Sequence, residues 1–230
     1  MKKLSSIISV IICMAMLISI TAVVGYASDA KTYYIKSIDD LKAVAELINN
    51  ADIKLNDGGF TVGENGEPLY NGEEINESEL ITFEQISEFR GTFNGNNHII
   101  SGIYCKGRGL FEKASGAVIK NVIIKNSLFD TRSLVPEKVG SVCGEAIDSE
   151  ISGCKSFATV LSSADKVGGI VGYAESSAID NCRNIGYVFG KGCVGGVVGE
   201  LASTEKLTNC LNKGTVAATG DYVGGIVSKI

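Results

Sequence analysis

The chain has 230 residues, 45% of them hydrophobic, with 28 glycines, two prolines, no tryptophan and a formal net charge of −5. Without a leader that carries Lys2 and Lys3, 19 basic residues stand against 26 acidic ones, a balance of −7. That excess of acid argues against nucleic acid or an anionic membrane surface as partner, and the mature length is that of one domain.

Residues 1–27 read as a secretory signal. Two lysines precede an apolar run from Ile7 to Val24, and Gly25-Tyr26-Ala27 supplies the small-x-small pattern of a cleavage site. An uncleaved anchor is the rival reading, because the run is about long enough to span a bilayer. Residues 28–90 form an N-terminal segment. Tyr33-Tyr34-Ile35 reads as a strand, and Ser37 to Asp40 resembles a capping box with Asp in place of Glu. Apolar residues at 38, 41, 44, 45 and 48 predict a helix over 38–50 with one buried face. Ten acids follow between Asp52 and Glu88, with Lys54 the only base among them. They read as a solvated acidic loop, since no calcium-loop spacing is present. Within it, FTVGENGEPLY at 60–70 predicts a hairpin about Asn65-Gly66.

Residues 91–230 are repetitive. Val139-Gly-Ser-Val-Cys-Gly, Val167-Gly-Gly-Ile-Val-Gly, Val194-Gly-Gly-Val-Val-Gly and Val223-Gly-Gly-Ile-Val-Ser are one phrase, repeated about every 28 residues. A second phrase runs in step at Ile151-Ser-Gly-Cys154, Ile179-Asp-Asn-Cys182 and Leu207-Thr-Asn-Cys210, with Ile119-Lys-Asn-Val122 as an older copy. A third apolar position follows at Val160, Val188 and Val216, with Leu128 in the older copy. A unit this short buries no core alone, so copies must stack. Its apolar residues come in bursts of three to six, rich in Val and Ile and separated by Gly, Asn, Ser and Asp. Those are short strands and turns, about three strands per unit. The fold class is therefore all-β, a parallel β-helix with coils of about 28 residues, on which the 38–50 helix serves as the N-terminal cap.

Coils of this kind bring equivalent residues into ladders at the strand spacing of roughly 4.8 Å. Ile-x-Asn-Cys sets two apolar residues three apart, so a corner must lie between them. Asn121, Asn181 and Asn209, with Gly153 in the other copy, suit the left-handed backbone that a corner needs. Gly186 and Gly214 are expected to do the same. The pairs Gly168-Gly169, Gly195-Gly196 and Gly224-Gly225 suggest close backbone approach or another bend. Cys154, Cys182 and Cys210 form a ladder with Val122. A valine at that place marks the cysteines as small apolar filler rather than disulfide partners, and no CxxC or Cys/His cluster indicates zinc. In the Val-Gly phrase, Ile170 and Val197 either form an outer apolar stripe or, if the chain bends at the glycines, reach the core.

Taken together, FRGTFNGNNHIISGI, GRGLFEKASGAVIKNVIIKN and the iterated VGGIVG resemble the GLUG-motif repeats of bacterial exported and surface proteins, over residues 33–230. Glu112, Ser141 and Ser228 depart from that pattern by replacing glycines. The resemblance implies a right-handed parallel β-helix of the pectin-lyase-like type, displayed outside the cell as an adhesion or surface-binding module.

Little in the chain signals catalysis. His98, the only histidine, lies in a turn, and no two carboxylates are expected to repeat in register. The Gly-rich phrases lack the Lys-Ser/Thr ending of a phosphate loop and precede no helix. The first expectation is a secreted or cell-surface, non-catalytic scaffold for adhesion or ligand and glycan binding, with no catalytic, cofactor or metal residues. Its presented loops would be Tyr173–Ala178 and Glu200–Lys206. Its partner would be an extracellular glycan or protein, and Tyr173, Tyr187, Phe189 and Tyr222 are the aromatics that could meet it. The alternative is a polysaccharide lyase or hydrolase of the same fold acting through Asp165, Asp180 and Asp221. A third reading is a truncated piece of a longer repeat protein, since the chain stops at VGGIVSKI, one strand into a new coil. That end, if uncapped, would favour end-to-end self-association.

Overall fold

The computed structural model describes residues 33–34 and 53–230, apart from 65, 78–79, 81, 135 and 203–205. The signal segment and the helix expected over 38–50 lie outside the described residues. Within them the chain is a stack of parallel coils, almost entirely β. A full coil holds five short strands rather than three, because each phrase is cut by more corners than apolar bursts alone reveal. The strands stack into five walls.

Wall one contains Lys138–Gly140, Lys166–Gly168, Cys193–Gly195 and Tyr222–Gly224. Wall two contains Ile86–Phe89, Phe111–Ser115, Cys143–Ile147, Val171–Glu175, Val198–Ala202 and Val227–Lys229. Wall three runs through Thr92–Asn94, Val118–Lys120, Glu150–Ser152, Ala178–Asp180 and Leu207–Thr208. Wall four runs through Ile53–Lys54, Ile99–Ser101, Ile123–Lys125, Lys155–Ser156, Arg183–Asn184 and Leu211–Asn212. Wall five contains Tyr104–Cys105, Leu128–Asp130, Thr159–Leu161, Val188–Gly190 and Val216–Ala218.

The core is a set of single-file rows. Phe93, Ile119, Ile151, Ile179 and Leu207 stack in register along wall three. The first four are at most 1% exposed, and Leu207 is half-buried on the last coil. The corner after this row turns at Asn121, Asn181 and Asn209, with φ of 56°, 49° and 54°, and at Gly153 with φ of 64°. Gly186 and Gly214 differ from the expectation, since neither has a positive φ. They are points of contact between coils. A methyl group at Gly186 would strike the Ala158 carbonyl, and one at Gly214 would strike the Gly186 carbonyl.

Between walls one and two the chain bends, and Val139, Val142, Val167, Ile170, Val194 and Val197 are all fully buried. Ile170 and Val197 therefore belong to the core and form no outer stripe. The bend needs its glycines: side chains at Gly168 and Gly195 would overlap the carbonyls of Val171 and Val198. Another correction concerns Leu128. Phe129, not Leu128, is the row-mate of Val160, because the corner holding Asn126 and Ser127 is one residue longer than its successor. Phe129 takes the inward place and Leu128 faces away from the coil.

What Leu128 faces is the hairpin. Phe60–Val62 pairs antiparallel with Pro68–Tyr70, which pairs in turn with Glu73–Glu74. This unit lies on the outside of wall five, where Phe60, Leu80, Tyr104, Leu128 and Leu161 make a second apolar cluster. The Phe60 ring stacks on Tyr104 at 5.9 Å and tilts against Tyr70 at 5.0 Å. The acidic segment is thus anchored by an apolar underside. Glu77 adds a polar clasp: its carboxylate accepts from the Tyr104 hydroxyl at 2.8 Å and binds the Lys106 ammonium at 2.6 Å.

The Lys106 contact, then the Tyr104 hydrogen bond, holds the Glu77 carboxyl below its ordinary value of 4.5. A lowered pKa stabilises the fold above the unfolded value, and that contribution fades as pH falls below 4.5 and through the native value. Glu77 and Lys106 are about half-exposed, so its size is at most about 1 kcal/mol. Glu77→Gln is expected to raise hydrogen exchange in the 60–74 hairpin at pH 7 and to leave exchange at pH 3 little changed. Equal effects at both pH values would remove the clasp from the account.

Candidate functional site

A β-helix presents its outward rows as a surface, so the candidate sites are rows and the breaks in them. On the face made by walls one and two, Lys138 and Lys166 occupy matching places on wall one. Glu145, Tyr173, Glu200 and Lys229 follow one another on wall two. The two rows interlock. Lys138 meets Glu145 at 2.6 Å, Lys166 meets Glu200 at 3.1 Å, and Lys229 approaches Glu200 at 3.7 Å. Tyr173 lies between both lysines, 4.6 and 4.3 Å from ring centre to nitrogen. Its hydroxyl donates to Glu175 at 3.0 Å. Desolvation, then that carboxylate, pushes the phenol up to about 12. The rows also approach closely enough to require Gly144, Gly172 and Gly199, whose side chains would meet wall one or the coil below. This face is charged, cross-linked and internally neutralised.

The row of small residues ends at Glu112. Among the described residues no wall-one strand lies beneath it, because that wall starts at Lys138. The space is a recess of about 250 Å³ whose lining includes Gln85, Lys106, Arg108, Glu112, Thr131 and Pro136. Glu112 accepts from the Gln85 amide at 2.8 Å and pairs with Arg108 at 3.3 Å. The backbone amide of Arg108 donates to the Gln85 side-chain oxygen. The departure from glycine noted in the sequence thus fills a gap with a paired carboxylate. That carboxylate is held by the Gln85 amide and the Arg108 guanidinium.

The residues singled out from sequence fall as follows. Cys154 and Cys182 are buried, Cys210 is half-buried on the last coil, and all are free thiols. They stack with Val122 through backbone bonds that include Arg183 N to Cys154 O and Leu211 N to Cys182 O. Each Sγ also lies over a carbonyl of the preceding coil, at 3.9 Å to Ile119, 3.6 Å to Ile151 and 3.8 Å to Ile179. Neighbouring thiols and burial raise the pKa of Cys182 and Cys210. Burial likewise pushes Cys105 and Cys143 up to about 12, so these sulfurs stay protonated. Among the described residues no three His, Cys, Asp or Glu side chains gather as a metal site.

Tyr173 lies on a wall-two strand rather than in a loop, and Glu200 likewise. Tyr187 and Phe189 pack against the hairpin cluster, while Tyr222 is 58% exposed on the last coil. Asp180 is on wall three, where its carboxylate accepts from the Thr208 hydroxyl at 2.6 Å and the Asn209 amide at 2.8 Å, lowering its pKa. Asp165 and Asp221 do share a row, contrary to the sequence expectation. Each precedes its wall-one strand, two coils apart, with Gly192 between them. Both carboxylates are exposed, and Asp165 approaches Lys191 at 3.6 Å. Comparison with family models, curated proteins and solved structures finds no match.

Two features escaped the sequence reading. The Gln85–Arg108–Glu112 cluster joins residues from two coils, and the signal for it was Glu112 breaking the glycine pattern. The other is the outward composition of wall four, legible once every position one and three residues after the Val122/Cys ladder is read as a row.

Proposed function

We propose that this protein is a secreted or cell-surface, non-catalytic scaffold that binds an extracellular ligand along its walls. The observation that carries this reading is the interlocked face of walls one and two. Its lysines, glutamates and Tyr173 are tied in pairs across successive coils, an arrangement suited to presenting a rigid surface. The apolar leader pattern supports export. The likeness of FRGTFNGNNHIISGI and VGGIVG to GLUG repeats supports a pectin-lyase-like β-helix used for adhesion or glycan binding. Fold alone does not supply activity.

One observation favours the enzyme alternative: Asp165 and Asp221 share a row, and paired carboxylates are what glycoside hydrolysis uses. Against it, both are open to water, where nothing concentrates their field on a substrate. Incubating the purified mature chain with neutral and acidic polysaccharides, while measuring both binding and new reducing ends, tests the proposal. Binding without turnover is expected. Turnover abolished by Asp165→Asn or Asp221→Asn would replace the scaffold with a hydrolase.

A further inference from the structure

Wall four carries cations that no acid of its own strands or of a neighbouring wall neutralises among the described residues. Its inward row is Ile100, Ile124, Ser156, Asn184 and Asn212. The residues on either side of that row therefore point outward. One outward row runs Ile123, Lys155, Arg183, Leu211. The other runs Lys125, Phe157, Ile185, Lys213, continued by the backbone bonds that link residues 157, 185 and 213 to the coil below. No acid occurs in any of these strands, in a chain whose net charge is −5.

The cations here are also handled differently. On walls one and two Lys138, Lys166 and Lys229 each reach a glutamate. Lys125, Lys155, Arg183 and Lys213 have no carboxylate within ion-pair distance among the described residues; Lys125 rests over the Phe157 ring at 5.1 Å. Arg183 is exposed, and beside it Phe157, Ile185 and Leu211 are 36%, 41% and 37% exposed. Four unneutralised cations on four successive rungs, one on each, at roughly 4.8 Å per rung, make a positive stripe with apolar side chains set between the charges.

We propose that wall four is the binding face for an acidic polysaccharide. This rests on the scaffold reading above and names the ligand class for it. The charge calls for a polyanion, and the repeat of the cations along one axis calls for a linear polymer with recurring anions. The apolar side chains between them lie on the wall-four strands or one residue past them, so they can lie against the C–H faces of sugar rings. A membrane surface would ask for apolar side chains that project beyond the lysines, and these do not stand on a protruding loop. A nucleic acid would ask for several stacking platforms, and the wall has one aromatic ring, already covered by Lys125.

The test uses the mature chain and three soluble probes: polygalacturonate for carboxylate, dextran sulfate for sulfate, and neutral dextran. Vesicles of phosphatidylcholine with phosphatidylserine serve as the competing occupant. Polygalacturonate or dextran sulfate is expected to bind, more weakly as salt rises, with dextran inert. The double variant Lys155→Gln/Arg183→Gln should weaken that binding by roughly tenfold or more. The control Lys191→Gln, at an exposed lysine away from wall four, should leave it unchanged. Equal losses in the two variants would overturn the proposal, as would wall-four-dependent binding to vesicles but to neither acidic glycan. If neutral dextran or a protein ligand binds while both acidic glycans fail, wall four is wrong and the scaffold reading survives. If an acidic glycan binds through wall four but is also cleaved, the scaffold reading fails while the wall assignment stands.

Discussion

Shortening Ile151 to alanine is expected to cost about 3–4 kcal/mol, and the same change at Leu207 only about 1 kcal/mol. The two residues occupy one row, two coils apart. Ile151 is fully buried with a coil on each side, so its removal leaves a cavity that backbone-bonded neighbours cannot collapse to fill. Leu207 is half-buried at the last coil and loses less when truncated. Urea denaturation of both variants, followed by circular dichroism, gives the comparison through shifts in midpoint at constant slope. In a stacked repeat each coil is stabilised chiefly by its neighbours, so a gradient along the row is the signature of the architecture. Equal costs at the two positions would contradict a solenoid whose burial falls off toward the last coil.

Gly169→Ser is expected to destabilise the protein by about 2–4 kcal/mol, and Asn184→Ser is expected to return at least about 1 kcal/mol of that loss. The reasoning comes from the inside of the coil. Asn184 is fully buried; its amide donates to Asn212 at 2.9 Å and to the Gly186 carbonyl at 3.3 Å. Asn212 repeats the inner bonds with Gly214. A side chain on Gly169 would fall on the Asn184 amide, and one on Gly196 would fall on the Asn212 amide. In the preceding coil the matching residues are Ser141 and Ser156, both fully buried. There the smaller Ser156 accompanies a Ser141 hydroxyl that bonds the Gly169 carbonyl. The serine that breaks the Gly-Gly pattern is therefore matched by a serine fifteen residues later. Recovery will be partial, because the Gly196 carbonyl also crowds position 169 and because Asn184→Ser gives up the amide ladder. A double-mutant cycle in urea decides the matter: strictly additive costs would show that the two positions do not share the space.

Much of this architecture can be read from the chain because a solenoid makes spacing and contact nearly the same thing. Residues 28 apart in sequence become neighbours, so Ile151, Ile179 and Leu207 announce a row, and Asn121, Asn181 and Asn209 announce a corner through their tolerance of positive φ. The same reading failed where coil lengths differ. A fixed period puts Leu128 in the place of Phe129, because it does not register the extra corner residue near Asn126. Asp165 and Asp221 stand one residue before the Lys166, Cys193 and Tyr222 row, and Gly192 interrupts theirs.

The period, the parallel stacking, the buried rows and the positive-φ corners are all legible in the chain, since each follows from residue type repeated at a constant interval. What lies against the outside of the stack, and which charges meet there, emerges only from the folded chain. The hairpin at 60–74 covers wall five through Phe60 and Tyr104, Glu112 turns into a recess toward Gln85 and Arg108, and wall four keeps four cations without acids. These depend on contacts between segments with no common period, and on which side chains a row of backbone hydrogen bonds turns outward.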